Sequence, residues 1–245
     1  MRLRHEMGIA GMVLYVLAKG LRLPLTKIRL KPSLVQFPVW CRLRSSDIRV
    51  FRQLFRAREY GCLDDISSPR LLIDCGANVG YTSAYLLSRF PTLEAYSIEP
   101  DSGNFEMLQA NLAPYGRRAH PIRAGIWPVS ADLKISEIPF RDGMEWSLTV
   151  RETRPGEQPQ MKGLNIGDVL RMSGHERISI LKIDIEGAES LIFSSHYEPW
   201  LERVDTLVIE LHGPEAERIF MTAIAGQDFE ISQSGELTLC RRPAG

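Results

Sequence analysis

RLLIDCGANVG, residues 70–80, decides how the rest of the chain is read. Leu71, Leu72 and Ile73 form a short apolar run of the kind found in a parallel strand covered on both faces. Asp74 stands at the carboxyl end of that strand. Gly76 and Gly80 let the following loop take positive φ, or meet a ligand with no Cβ in the way. The next segment, YTSAYLLSRF (residues 81–90), reads as a helix that packs Ala84, Leu87 and Phe90 on the sheet. Strand, loop and helix in this order form a nucleotide-binding unit.

The chemistry of the loop narrows the nucleotide. A dinucleotide fingerprint reads G-x-G-x-x-G and seats a pyrophosphate on the helix N-terminus. Here the pattern is D-x-G-x-N-x-G: Asn78 fills the place of the second glycine, and an acid precedes the first. An acid there repels a diphosphate and attracts an ammonium group. The ligand that suits it is a nucleoside with an amino-acid tail and no phosphate, which is S-adenosylmethionine.

Downstream, the unit repeats. Residues 93–98 form a second strand that ends in Glu99, placed at the switch point of an open α/β sheet to accept both hydroxyls of a ribose. Residues 102–116 read as a helix carrying Phe105, Leu108 and Leu112 on one face, ended by Pro114 and Gly116. HPIRAGIW (residues 120–127) is a third strand candidate, residues 131–138 a possible further strand, and the Pro/Gly-rich residues 151–163 look like a mobile insertion or lid. Trp127 and Trp146 are read as core or lid packing. After a short helix at 165–172, ERISILKIDIEGAESLIF (residues 176–193) gives the next strand and helix.

On that strand Leu181, Ile183 and Ile185 alternate with Lys182, Asp184 and Glu186. Three charged residues on one face of a buried strand must be paired or lie at an open mouth. The fifth strand, DTLVIELHG (residues 205–213), repeats the pattern with Val208, Glu210 and His212 on one side. Adjacent strands would let Asp184, Glu186, Glu210 and His212 converge, either as a catalytic or substrate-binding cluster or as a structural network with Lys182. No metal is assigned, because nothing in the sequence shows that these oxygens meet. An amphipathic helix at 214–227 and a hairpin at 229–242, turning at Gln233-Ser234-Gly235, close the chain. A closing hairpin puts an antiparallel strand into an otherwise parallel sheet. The fold class is therefore α/β, a Rossmann-like doubly wound sheet of seven strands, mostly parallel, with the last antiparallel.

The chain has 245 residues, 44% of them hydrophobic and 24% charged, enough for a full core and unlike a disordered chain. Formal charge sums to zero, yet residues 1–60 carry thirteen Lys/Arg against three Asp/Glu. Such an arm meets an anionic partner, faces solvent, or packs on the acidic remainder. Cys41, Cys62, Cys75 and Cys240 lack C-x-x-C spacing, which suggests neither a zinc site nor a redox pair and fits a reducing cytoplasm. The apolar run at residues 7–18 is too short to span a bilayer and lacks a clean cleavage site, so it is read as an amphipathic or core-docking helix, with peripheral membrane contact through Lys19 and Arg22 left open. Residues 26–30 and 35–43 read as a small strand pair or an extended cover, and a helix capped by Ser46 or Asp47 carries Val50, Phe51, Leu54 and Phe55 and ends at Gly61. The organisation expected is an N-terminal extension, residues 1–66, packed on an S-adenosylmethionine-binding domain, residues 67–245.

LLIDCGANVGYTSAYL, YSIEPD, the K-x-D-x-E-G-x-E block in LKIDIEGAESLIF, and LVIELHG together resemble the FkbM-type S-adenosylmethionine-dependent methyltransferases, over roughly residues 38–213. The block from Lys182 to Glu189 is the most specific part, and residues 144–150 match loosely. The resemblance implies methyl transfer to an oxygen, often on a sugar or polyketide, with a small-molecule or glycan acceptor and no nucleic acid. Candidate cofactor residues are Asp74, Gly76, Asn78, Gly80, Tyr81, Glu99, Asn104 and Asp184. Candidate catalytic residues are His212 or Asp184 as the base, with Glu186 and Glu210 orienting it or the acceptor. Two rival readings stay open at this point: a nicotinamide-dependent oxidoreductase, which would need glycine at position 78, and a non-catalytic module that binds the cofactor.

Overall fold

Period-two apolar runs alternate with amphipathic segments along most of the chain, and they fold as alternating strands and helices. The computed structural model of the chain describes residues 27–43, 45–136, 150–185 and 187–243. Strands β1 (Lys27–Leu30) and β2 (Val39–Arg42) pair antiparallel and lead to helix α1 (Asp47–Phe55) and a 3-10 turn, Glu59–Leu63. There follow β3 (Leu71–Cys75), α2 (Tyr81–Arg89), β4 (Glu94–Ile98), α3 (Ser102–Leu112), β5 (Ala119–Ile122), β6 (Gly125–Ile126), β7 (Ala131–Ile135), β8 (Val150–Glu152) and β9 (Met161–Leu164). The last part comprises α4 (Ile166–Ser173), β10 (Ile178–Ile183), the short helices α5 (Glu189–Ile192) and α6 (Glu198–Leu201), β11 (Val204–Glu210), α7 (Pro214–Ile224), β12 (Glu230–Ser234) and β13 (Leu237–Arg241).

The main sheet has seven strands in the order β12-β13-β11-β10-β3-β4-β5. Strands β11, β10, β3, β4 and β5 run parallel, and β13 enters antiparallel between β11 and β12. Chain order reverses at β3, with β4 on one side and β10 on the other, so the Gly76–Gly80 loop leaves the sheet at the switch point. Alternation sorts the strand residues into two cores. Leu72, Ile180 and Val208 face α2, α3 and the extension, whereas Leu71, Ile73, Leu181, Ile183, Leu207 and Ile209 face α4 to α7. Ile28, Leu30, Val39, Phe51, Leu54 and Leu63 of the extension belong to the same cluster as Tyr81, Leu86 and Leu108. No helix among the described residues is long and apolar enough to cross a membrane.

Several expected elements differ in detail. Helix α1 ends at Phe55 rather than Gly61, because Arg58 takes a left-handed φ of 56° and the chain restarts as a 3-10 turn. The single strand expected over 120–127 is two. Its first part is β5, an edge strand where Pro121 costs no interior hydrogen bond, and its second part crosses to another sheet as β6. Residues 151–163, expected to be a lid, contribute β8 and β9 to that second sheet, a four-stranded one in the order β6-β9-β7-β8. It covers a small core of Trp127, Leu133, Met161 and Ala188, and the Trp127 indole donates to Glu152 at 2.8 Å. The closing turn is Gly235-Glu236, with Gly235 at φ 63°, one residue later than the sequence suggested. The apolar run at 7–18 and Trp146 lie outside the described residues.

Phe51 is fully buried against Phe55 and Tyr81, with ring centroids at 4.8 and 5.9 Å. Phe51→Ala is expected to lower unfolding free energy by about 3–5 kcal/mol in one cooperative transition, measured by chemical denaturation. An unchanged midpoint would mean that the extension does not share the core.

Candidate active site

The carboxyl ends of β3, β4, β10 and β11 enclose a cavity of about 300 Å³. Its floor is the loop after β3, held from both sides. Gly76 and Ala77 donate to the Ile98 carbonyl at 3.0 and 2.9 Å, and Asp184 N–H donates to the Cys75 carbonyl at 3.0 Å. Gly76 has φ 79°, and a Cβ there would stand 1.8 Å from the Asp184 carbonyl oxygen, so no other residue fits between these strands. Gly80 serves a different purpose from ligand approach: it caps α2 at φ 82°, and a Cβ would come within 2.6 Å of Leu108 on α3.

Glu99 lines the cavity from the end of β4 while only 5% exposed. Its Oε2 accepts the Asn78 N–H at 2.8 Å, and its Oε1 accepts the Asp101 N–H at 3.0 Å and the Asn104 amide at 3.5 Å. Burial pushes this carboxyl up to about 7 in spite of those donors. Asn78, Tyr81 and Asn104 line the same cavity, Asn78 with a left-handed φ of 51°. The Tyr81 hydroxyl is spent on the extension, donating to the Trp40 carbonyl at 2.8 Å. Ile98, Ala124 and Ile126 supply an apolar wall.

Asp74 departs from the sequence expectation. It is fully buried and absent from the cavity lining; its Oδ2 accepts from Ser83 at 2.6 Å, and its Oδ1 stands 3.3 Å from the Lys182 ammonium. The reason is register. Strand β3 runs on to Cys75, and Lys182 of β10 pairs directly beside Asp74, so the ammonium group that the carboxylate meets is the chain's own. Lys182 also donates to the Gly76 carbonyl at 2.6 Å and lies 3.6 Å from Asp184 Oδ2. Desolvation pulls its pKa down, but the fields of Asp74 and Asp184 outweigh that and hold it well above the ordinary lysine value.

Beyond β3, on the side away from Glu99, the ends of β10 and β11 bring Asp184, Glu210 and His212 together: one ligand atom from each lies within 4.8 Å of the others, a set able to share a proton or a divalent cation. Asp184 and Glu210 line the cavity, whereas the His212 ring is packed behind them. Its Nε2 is 3.4 Å from Glu210 and 4.0 Å from Asp184, and its Nδ1 is 2.7 Å from fully buried Glu189. Glu189 also accepts the Gly187 N–H at 2.9 Å, so it fixes both the turn and the ring. Burial, together with repulsion from Glu210, raises the pKa of Asp184, and burial followed by repulsion from Glu210 and Asp184 pushes Glu59 up to about 7. Glu186 lies outside the described residues.

Lys182, Glu59, Tyr60 and Glu236 line the cavity without having been singled out as site residues. Glu236 comes from the closing turn, away from any motif; Glu59 and Tyr60 end the segment RLRSSDIRVFRQLFRAREY, which resembles the stretch preceding the core in the family, and Lys182 and Glu189 belong to the K-x-D-x-E-G-x-E block.

Residues 74–233 match the family model of the methyltransferase FkbM domain. The chain belongs to the FkbM methyltransferase family. The methyl donor of this methyltransferase is S-adenosylmethionine, and the cavity residues fit it, with paired carboxylate oxygens for a diol, an apolar wall for a purine and a phosphate-free glycine loop. The chain is 23% identical over 198 residues to methyltransferase sdnD of Sordaria araneosa, covering 69% of the chain and 76% of the relative. It is 24% identical over 165 residues to methyltransferase 1 of Beauveria bassiana, covering 57% of the chain and 64% of the relative. Among solved structures, precorrin-6y C5,15-methyltransferase from Geobacter metallireducens superposes with a TM-score of 0.46 at 10% identity, covering 78% of the present chain and 88% of the Geobacter chain.

Lys182→Met strands the fully buried Asp74 carboxylate beside an apolar side chain. Unfolding free energy should fall by about 3–5 kcal/mol, read by urea denaturation at neutral pH, since removing one member of a buried pair leaves an uncompensated charge. Stability within about 1 kcal/mol of wild type would show that the pair does not hold the two strands.

Proposed function

We propose that the methyltransferase transfers the methyl group to a hydroxyl oxygen of a small molecule: a sugar, a glycan or a secondary metabolite. The observation that carries this reading is the convergence of Asp184, Glu210 and His212 at the cavity end separated from Glu99 by β3. An alcohol is a poor nucleophile until its proton is removed, and this cluster offers oxygen acceptors where the acceptor enters. A biosynthetic acceptor also agrees with a third relative, the AMB antimetabolite synthetase AmbE of Pseudomonas aeruginosa, 24% identical over 199 residues that make up 9% of that protein.

The bound cofactor supplies an electrophilic methyl group and a neutral sulfide leaving group. The chain's residues then have separate tasks. Glu99 would hold the two ribose hydroxyls of the cofactor, and the backbone of Gly76 to Asn78 would border its amino-acid tail. Of the two candidate bases, Asp184 faces the cavity and takes the hydroxyl proton; Glu210 orients the acceptor, and His212, braced by Glu189, keeps the two carboxylates in place. With cofactor and acceptor both seated in the cavity, its walls would hold the acceptor oxygen close to the methyl group.

Asp184→Asn should lower turnover by about a hundredfold or more, measured as transfer of isotope-labelled methyl to a panel of hydroxylated acceptors. Product NMR should show a methyl ether, and an N-methyl or C-methyl product would overturn the oxygen assignment.

The raised pKa of Glu99 ties both stability and cofactor affinity to pH. The folded chain holds this proton more tightly than the unfolded chain, so that contribution to stability is lost as pH rises from the ordinary carboxyl range through about 7. Over the same rise the group ionises and becomes the stronger acceptor for a diol. Calorimetric affinity for S-adenosylhomocysteine should therefore increase between about pH 6 and pH 8, and Glu99→Gln should flatten the profile.

A further inference from the structure

The strand pair of the extension reaches the cofactor acid through a chain of polar groups that runs from half-buried Arg42 to buried Asn104 and Glu99. Arg42, at the end of β2, is gripped by Asp47 of α1: Nη2 lies 2.8 Å from Oδ1, and Nε lies 3.2 and 3.1 Å from the two carboxylate oxygens. The Arg42 N–H also donates to Asp47 Oδ2 at 2.8 Å. The same Nη2 donates to Asn104 Oδ1 at 2.7 Å, and Asn104 Nδ2 is 3.5 Å from Glu99 Oε1. Asp47 and Asn104 are each 1% exposed.

A side-chain amide has one accepting end and one donating end, while a guanidinium only donates. Arg42 therefore compels the Asn104 oxygen to face the extension and its NH₂ to face Glu99. Without the guanidinium the amide oxygen loses the donor that draws it to the extension's side, and an amide turned the other way would set its oxygen against the ionised carboxylate. We propose that Arg42 is a positioning residue for cofactor binding, acting from the N-terminal extension by selecting the orientation of Asn104 that supports Glu99. This rests on the reading that Glu99 receives the ribose diol. The extension is thus part of the cofactor site and more than a cover for the core. The charged group facing Glu99 on α3's approach is Asp101, whose repulsion Asn104 helps to offset.

The test is calorimetry with S-adenosylhomocysteine on the full chain, comparing wild type with Arg42→Ala, Asn104→Ala, the double variant and Glu99→Gln across pH 6–8. Expected are losses of about tenfold for each of the first two, no further loss in the double variant, and an upward shift of the pH midpoint in Arg42→Ala. Unfolding midpoints, recorded in parallel, confine the comparison to temperatures where each variant is folded. Wild-type affinity in Arg42→Ala, losses that multiply in the double variant, or a pH midpoint that stays put would each overturn the proposal and leave Arg42 with Asp47 as a structural pair alone. If Glu99→Gln keeps wild-type affinity as well, the reading of Glu99 fails with it; if only Glu99→Gln loses affinity, that reading stands and the role of Arg42 is refuted.

Discussion

Everything at the mouth of the sheet is arranged around one buried cation. Lys182 lies in register beside Asp74, with its ammonium between that carboxylate, the Gly76 carbonyl and Asp184. Neither charge is tolerable alone in a fully packed interior, so the pair holds β10 and β3 at one register. That register places Asp184 N–H against the Cys75 carbonyl and brings the backbone of Gly76 beneath Asp184, where no side chain fits. The glycine in the loop is thus required by the neighbouring strand as much as by any ligand.

The cavity is then divided by β3 into two chemistries. On the β4 side a nearly enclosed carboxyl, Glu99, is fed by backbone donors and by an amide that reaches it from the extension's side. On the β10 and β11 side, carboxylates crowd together with a braced imidazole, and Lys182 is the buried cation nearest to them. Burial raises the proton affinity of Glu99 and Asp184, and of Glu59, which the extension adds to the same wall. A methyl donor that is itself a cation is electrostatically at home between such walls.

The small four-stranded sheet shows how a segment rich in glycine and proline becomes ordered. Gly125 and Gly163 pair across β6 and β9, and a Cβ on either would come within about 3.0 Å of Leu133. Leu133 is fully buried because these two positions carry no side chain. Glycines that look like loop punctuation in the sequence are here the seats of a packed leucine.

The sequence by itself determined the strand–loop–helix unit, the alternation that sets Leu181 and Ile183 apart from Lys182 and Asp184, the closing hairpin and the family, because period, turn chemistry and the K-x-D-x-E-G-x-E block are local properties of the chain. It also marked Glu99, Asp184, Glu210 and His212 as residues needing an explanation, since charges at the ends of buried strands seldom stand without a partner or a purpose. Tertiary structure alone decided which partner each one has. Strand register handed Asp74 to Lys182 instead of to a ligand, chain reversal brought Glu59 and Glu236 to the cavity wall, and the packing of β2 against α3 joined Arg42 to Asn104. These are pairings between residues tens to more than a hundred positions apart, and no local pattern encodes the register that creates them.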